Sequence, residues 1–131
     1  MDFNLELGLS YEFEMTVEPS HAASTFGSGG VDVLATPYLI ANMEIASFHA
    51  VESKLEEGFT TVGTKVNIEH IAATPIGMKA TFKVKLIEIN KARLLFEVEA
   101  YDEKDKIGSG THERCIINKE KFMAKTNGKR G

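Results

Sequence analysis

The stretch that most limits what this chain can fold into is Thr36 to Glu57, TPYLIANMEIASFHAVESKLEE, because it is apolar almost all the way round. Between Tyr38 and Val51 it carries one formal charge, Glu44. Thr36 stands where a helix N-cap belongs, Pro37 follows at the first helical position, where a missing N–H costs nothing, and Gly58 reads as the stop. The expected helix runs from Thr36 to about Glu57. A helix apolar on nearly every side must be wrapped by other structure. A carboxylate in its middle is costly to bury unless a partner meets it or its pKa rises. One turn from Glu44 lie Ile40, Ala41, Ser47 and Phe48, so it is either a border carboxylate reaching solvent or a functional group in an apolar stripe.

The wrapping has to come from strands. Leu9 to Glu18 alternates, with Tyr11, Phe13, Met15 and Val17 on one face and acidic residues and Thr16 on the other, and Pro19 ends it. His21 to Gly30 reads as a loop. After the helix, Phe59 to Ala72 places Val62, Thr64, Val66, Ile68, His70 and Ala72 in one phase, and Ala73 to Gly77 is a turn. Met78 to Ile89 points Met78, Ala80, Phe82, Val84 and Leu86 inward against outward Lys79, Thr81, Lys83 and Lys85, and Ala92 to Asp102 points Leu94, Phe96, Val98 and Ala100 inward. Lys106 to Asn118 is a last long strand, Lys119 to Lys125 a short helix, and 126–131 a frayed tail after a lead-in over 1–9. Strands joined by short turns form an antiparallel sheet, and such a sheet curled around one long helix is an α+β hot-dog fold in a single domain, 1–131. Its open strand edges and helix flank predict a homodimer or higher oligomer that continues the sheet.

Composition narrows the function. The 131 residues suit one core, and a net charge of -4 without a basic stripe excludes nucleic acid as an expected partner. No apolar run approaches the ~20 residues that span a bilayer, so no membrane partner is expected. The acidic, alternating N-terminus does not read as a signal peptide. Cys115 is the only cysteine, which excludes an internal disulfide and a multi-cysteine metal site and fits a cytoplasmic location. No metal ligand set is assigned.

Among polar residues, Glu44 stands first. His70, in the inward phase behind Val66 and Ile68, is a core histidine or an acid/base near neutrality. Thr36 is an N-cap, and would need an adjacent base to become a nucleophile. Gly108-Ser109-Gly110 lies inside a strand pattern and lacks phosphate-loop spacing, so these glycines admit a bulky group or backbone, or mark a bulge. His112, Glu113 and Arg114 alternate faces and read as a mixed charged strand surface, not a cluster.

Four segments occur in order along nearly the whole chain: ATPYLIANMEIA (35–46), VGTKVNIEHIAATPIGM (62–78), IGSGTHER (107–114) and EKFMAK (120–125). By these the chain resembles the fluoroacetyl-CoA thioesterase family of the hot-dog superfamily, with HIAATPIG and GSGTHER the most specific parts. The resemblance implies a homodimeric thioester hydrolase that cleaves a small or medium acyl-CoA, with coenzyme A part of the substrate and no separate cofactor. It implies a catalytic set of Thr36, Glu44 and His70: a carboxylate as base or nucleophile, a threonine that orients or attacks, and a histidine as acid/base. A backbone N–H at the helix start or near Gly63 would receive the oxyanion, and Arg114 or a lysine would meet the coenzyme A phosphates. The family's aromatic lid over the acyl pocket corresponds here to Gly27-Ser28-Gly29-Gly30, with Phe26 the only aromatic, and Pro37 follows the threonine where the family tends to have glycine. No fluorine selectivity is therefore expected. Two other readings are an enoyl-thioester hydratase or dehydratase and a non-catalytic acyl-CoA or small-ligand binding protein.

Overall fold

The computed structural model describes residues 3–131. Of the expected lead-in, positions 1 and 2 lie outside the described residues, while Phe3, Leu5 and Leu9 pack against the core. The elements are β1 (Ser10–Thr16), a 3-10 turn (Pro19–His21), α1 (Ala23–Phe26), α2 (Thr36–Glu52), β2 (Phe59–His70), β3 (Lys79–Asn90), β4 (Arg93–Tyr101), β5 (Lys106–Asn118) and α3 (Lys119–Asn127). Five strands form one antiparallel sheet in the order β1-β3-β4-β5-β2, so β1 and β2 are its edges. No helix is long and apolar enough to cross a membrane among the described residues.

The alternation read from β3 and β4 is what builds the core. Ala80, Phe82, Val84 and Leu86 of β3 and Leu94, Phe96, Val98 and Ala100 of β4 are all buried, facing Leu39, Met43, Ala46, Ala50 and Val51 of α2. Side chains of period two on the sheet thus meet side chains of period 3.6 on the helix. The β5 glycines make room: a β-carbon on Gly108 would lie 3.0 Å from Leu39 Cδ2, and one on Gly110 would run into the Asn67 carbonyl of β2.

Four local expectations are corrected. The helix ends at Glu52, not Glu57, because Lys54 N–H and Leu55 N–H donate to Val51 and Glu52 three residues back, tightening the chain into turns before Gly58 at φ 92°. The stretch read as a loop from His21 contains one helical turn, α1, which Gly27 closes at φ 94°. β2 does not keep one phase. It carries a bulge between Gly63 and Lys65, so Thr61 and Gly63 face inward before it, Val66, Ile68 and His70 after it, and Val62 turns away. The expected tail is helical at Thr126 and Asn127, and Gly128–Arg130 form a 3-10 turn.

The β2 edge is apolar yet open. Val66 is 41% exposed on this unpaired edge.

Candidate active site

Thr36 opens α2, and His70 closes β2 opposite Gly108. The cap position belongs to Ala35, whose extended backbone is anchored by its N–H donating to the His21 carbonyl. The threonine is therefore not the N-cap that its sequence position predicted. Its hydroxyl is free for another partner, and Thr36 Oγ1 lies 2.6 Å from His70 Nδ1. The other ring nitrogen, Nε2, is buried without a hydrogen-bond partner. Burial pulls the His70 pKa below the ordinary imidazole value, with the nearby Ala72 backbone offsetting part of the effect, so the ring is neutral at pH 7 and able to accept a proton.

Both residues line a cleft of about 330 Å³ together with Ser28, Leu34, Pro37, Ile71 and Ala72. The first turn of α2 faces it, and the helix N-terminus favours negative charge developing there. Ser28 of the glycine-rich loop forms part of the wall. Phe26 does not: its ring stands edge-on to Tyr38, 5.2 Å between centroids, and is 51% exposed.

Glu44 sits elsewhere. Eight residues along α2 from Thr36, it is displaced by about 12 Å at 1.5 Å per residue. There it converges with two other residues over Gly63 of β2. A β-carbon built on Gly63 would lie 3.1 Å from Glu44 Oε2, 3.2 Å from His112 Cε1 and 3.4 Å from Arg114 Nη1. A β-carbon there would press the carboxylate, the imidazole and the guanidinium aside by a few tenths of an ångström. Arg114 donates through Nε to Thr61 Oγ1 at 2.8 Å and through Nη2 to the Thr61 carbonyl at 3.0 Å, and its guanidinium lies 5.7 Å from the Phe48 ring. Burial lowers the Arg114 pKa, while the Glu44 and Glu52 charges support its protonated form.

Within one chain, then, the structure joins Thr36 to His70 and sets Glu44 apart with Gly63 and Arg114. The reading of 112–114 as a mixed charged surface is corrected: His112 and Arg114 are both buried on the inner face, bonded to each other, and Glu113 alone turns outward to Arg93. Arg114, expected to meet phosphates, is 7% exposed and holds Thr61 through Nε and Nη2. The missed residue is His112. Its signal was the i, i+2 spacing of His112, Arg114 and Ile116, which share one face of any regular strand.

A five-stranded antiparallel sheet around one helix, with a hydroxyl–imidazole pair at the helix start, defines a hot-dog protein equipped for acyl transfer. Residues 17–120 match the family model described as fluoroacetyl-CoA-specific thioesterase. The fluoroacetyl-CoA thioesterase of Streptantibioticus cattleyicolor is 42% identical over 98 residues, 75% of this chain and 70% of that protein. A solved structure of the fluoroacetyl-CoA thioesterase is 34% identical with a TM-score of 0.89, covering 95% of this chain and 97% of that one. A Thermus thermophilus thioesterase superfamily member is 30% identical with a TM-score of 0.89, over 95% and 93% of the two chains. A hot-dog-like protein of Thermanaerovibrio acidaminovorans, 21% identical with a TM-score of 0.92 over 100% and 98%, shares the fold. The chain belongs to the fluoroacetyl-CoA-specific thioesterase family. It is a thioester hydrolase of the acyl-CoA class.

Proposed function

We propose that this chain hydrolyses a small or medium acyl-CoA to the free acid and coenzyme A, with Thr36 and His70 at the reacting centre and Glu44 supplied by a second copy. The observation that carries this is the 2.6 Å contact between Thr36 Oγ1 and His70 Nδ1 on the wall of the cleft. The threonine hydroxyl attacks the thioester carbonyl carbon as its proton passes to Nδ1. The carbon–sulfur bond breaks and the imidazolium returns the proton to the departing thiolate. Water, deprotonated by the same ring, then cleaves the acyl-threonine ester and restores the hydroxyl. Coenzyme A is the carried group, not a resident cofactor. The glycine-rich wall around Ser28, with Phe26 turned aside, supports a choice by acyl size and not by fluorine.

The second copy answers the position of Glu44. β2 is an unpaired edge, and pairing it with a partner's β2, antiparallel and centred on Asn67, brings each His70 to the partner's Gly63 once the extra residue of the bulge is counted. Glu44 accompanies Gly63, so each cleft receives the partner's Glu44 to stabilise the imidazolium. The same pairing covers Val66. The half-buried Cys115 thiol suits a reducing compartment, which supports a cytoplasmic location.

The test is free-thiol release from a panel of acyl-CoAs. His70→Asn and Glu44→Gln each lose most activity as pure proteins. Refolded together at equal amounts, they recover about a quarter of wild-type sites, because half the dimers are mixed and each mixed dimer holds one intact site. No recovery from folded, mixed dimers would sink the shared site, and a wild type that binds acyl-CoAs without releasing thiol would sink the hydrolase.

A further inference from the structure

Resting on the thioesterase reading, one buried imidazole remains outside the hydrolytic step. His112 of β5 is 1% exposed and has both ring nitrogens occupied. Nδ1 lies 2.8 Å from the Lys65 carbonyl, and Nε2 lies 3.2 Å from Arg114 Nη1. A carbonyl can only accept and a guanidinium can only donate, so Nδ1 carries the proton and Nε2 accepts. The ring is thereby defined as the neutral Nδ1–H tautomer. Arg114 holds Thr61 through two further bonds. Thr61 precedes the β2 bulge and Lys65 follows it, so His112 and Arg114 together tie down both sides of the irregular segment that contains Gly63.

We infer that His112 is a positioning residue for thioester hydrolysis: its neutral ring clamps the β2 bulge and aims Arg114 beside Glu44, which sets the Gly63 backbone and the Glu44 carboxylate relative to the reacting carbonyl. It touches no substrate. Protonation would place a new N–H against the Arg114 donors and a second positive charge beside the guanidinium, so the clamp works only with the neutral ring. The charged groups facing it are Glu44 from α2 and Arg114 on its own strand, while Glu113, next in the chain, acts on it from the outer face. From β4 it meets Phe96, and from β2 the Lys65 carbonyl. Burial lowers the His112 pKa, with Arg114 acting the same way, and this keeps the clamp neutral at pH 7.

The test compares His112→Phe, which keeps a ring and loses both bonds, with His112→Asn, whose amide can donate to Lys65 and accept from Arg114 without titrating. His112→Phe is expected to lower kcat by about 10- to 100-fold with KM nearly unchanged. His112→Asn is expected to recover most of kcat and to push the acid limb of the rate profile to lower pH. Imidazole nitrogen NMR of the wild type should show the Nδ1–H tautomer at neutral pH. The inference falls if folded His112→Phe keeps wild-type kcat, if His112→Asn is as impaired as His112→Phe with an unchanged acid limb, or if the ring shows the other tautomer. Should wild type release no thiol, the hydrolase reading fails by itself. The clamp is then judged by whether His112→Phe speeds hydrogen exchange at Gly63, Thr64 and Lys65 while the rest of the sheet stays protected.

Discussion

The two ends of the α2–β2 contact are built in opposite ways. At the Thr36–His70 end one hydrogen bond holds an exposed threonine to a half-buried imidazole whose second nitrogen has no partner. At the Glu44 end each of the three nitrogens of Arg114 and both nitrogens of His112 hold a hydrogen bond, and both residues are almost fully buried. A saturated network resists change, whereas an unfinished one is free to bind and react. One helix therefore carries a reacting end and a holding end, and mutations at the two should separate activity from stability.

The largest expected effect is at the reacting end. Thr36→Ala should lower kcat by about 10²- to 10⁴-fold and leave the urea midpoint nearly unchanged, since the hydroxyl caps no helix. A variant with intact kcat would show that water, not Thr36, attacks. At the holding end, Arg114→Leu strands the Thr61 hydroxyl and leaves Glu44 without its nearby cation. It should cost about 3 kcal/mol in urea unfolding, and a loss of activity at full stability would place Arg114 in the chemistry instead.

Acid offers a middle-sized comparison. His70 and His112 both have folded-state pKa values below the ordinary imidazole value, chiefly through burial. Below that ordinary value the unfolded chain binds more protons than the folded one, so the stability tied to the neutral rings is full above it and is lost as pH falls through the depressed values. Thermal midpoints should therefore drop on acidification, and less steeply in His112→Asn. Equal slopes would mean that the clamp does not contribute. The smallest effect is expected from Phe26→Ala, whose ring stands off the cleft wall: less than about a threefold change in kcat/KM. A tenfold loss would show that the ring folds over the acyl group during turnover.

Much of this was legible in the chain. The β3 and β4 alternation predicted their buried faces, except that Met78 falls before β3 and stays half-buried, because period two on a half-buried sheet leaves one solution. Thr36, Glu44 and His70 each stand out by residue type and position in the chain. The errors came where a local rule met a long-range partner. Thr36 is an excellent cap by type, yet His70, thirty-four positions away, takes its hydroxyl. His112 and Arg114 read as surface because Glu113 between them is charged too, and only the placement of α2 and the β2 bulge shows that the inner face there is polar.

The sequence by itself determined the order of elements, the apolar helix that needed wrapping and the residue types able to do chemistry, since periodicity, turns and composition are local properties. The tertiary structure alone decided which of those residues meet. Glu44, the solitary charge of an apolar helix, does not stand with Thr36 and His70 of its own chain: 3.6 residues per turn and the β2 bulge carry it to Gly63, His112 and Arg114. A bulge adds one residue to one strand and reverses every side chain beyond it, and no local pattern reports where the strand opposite will demand that.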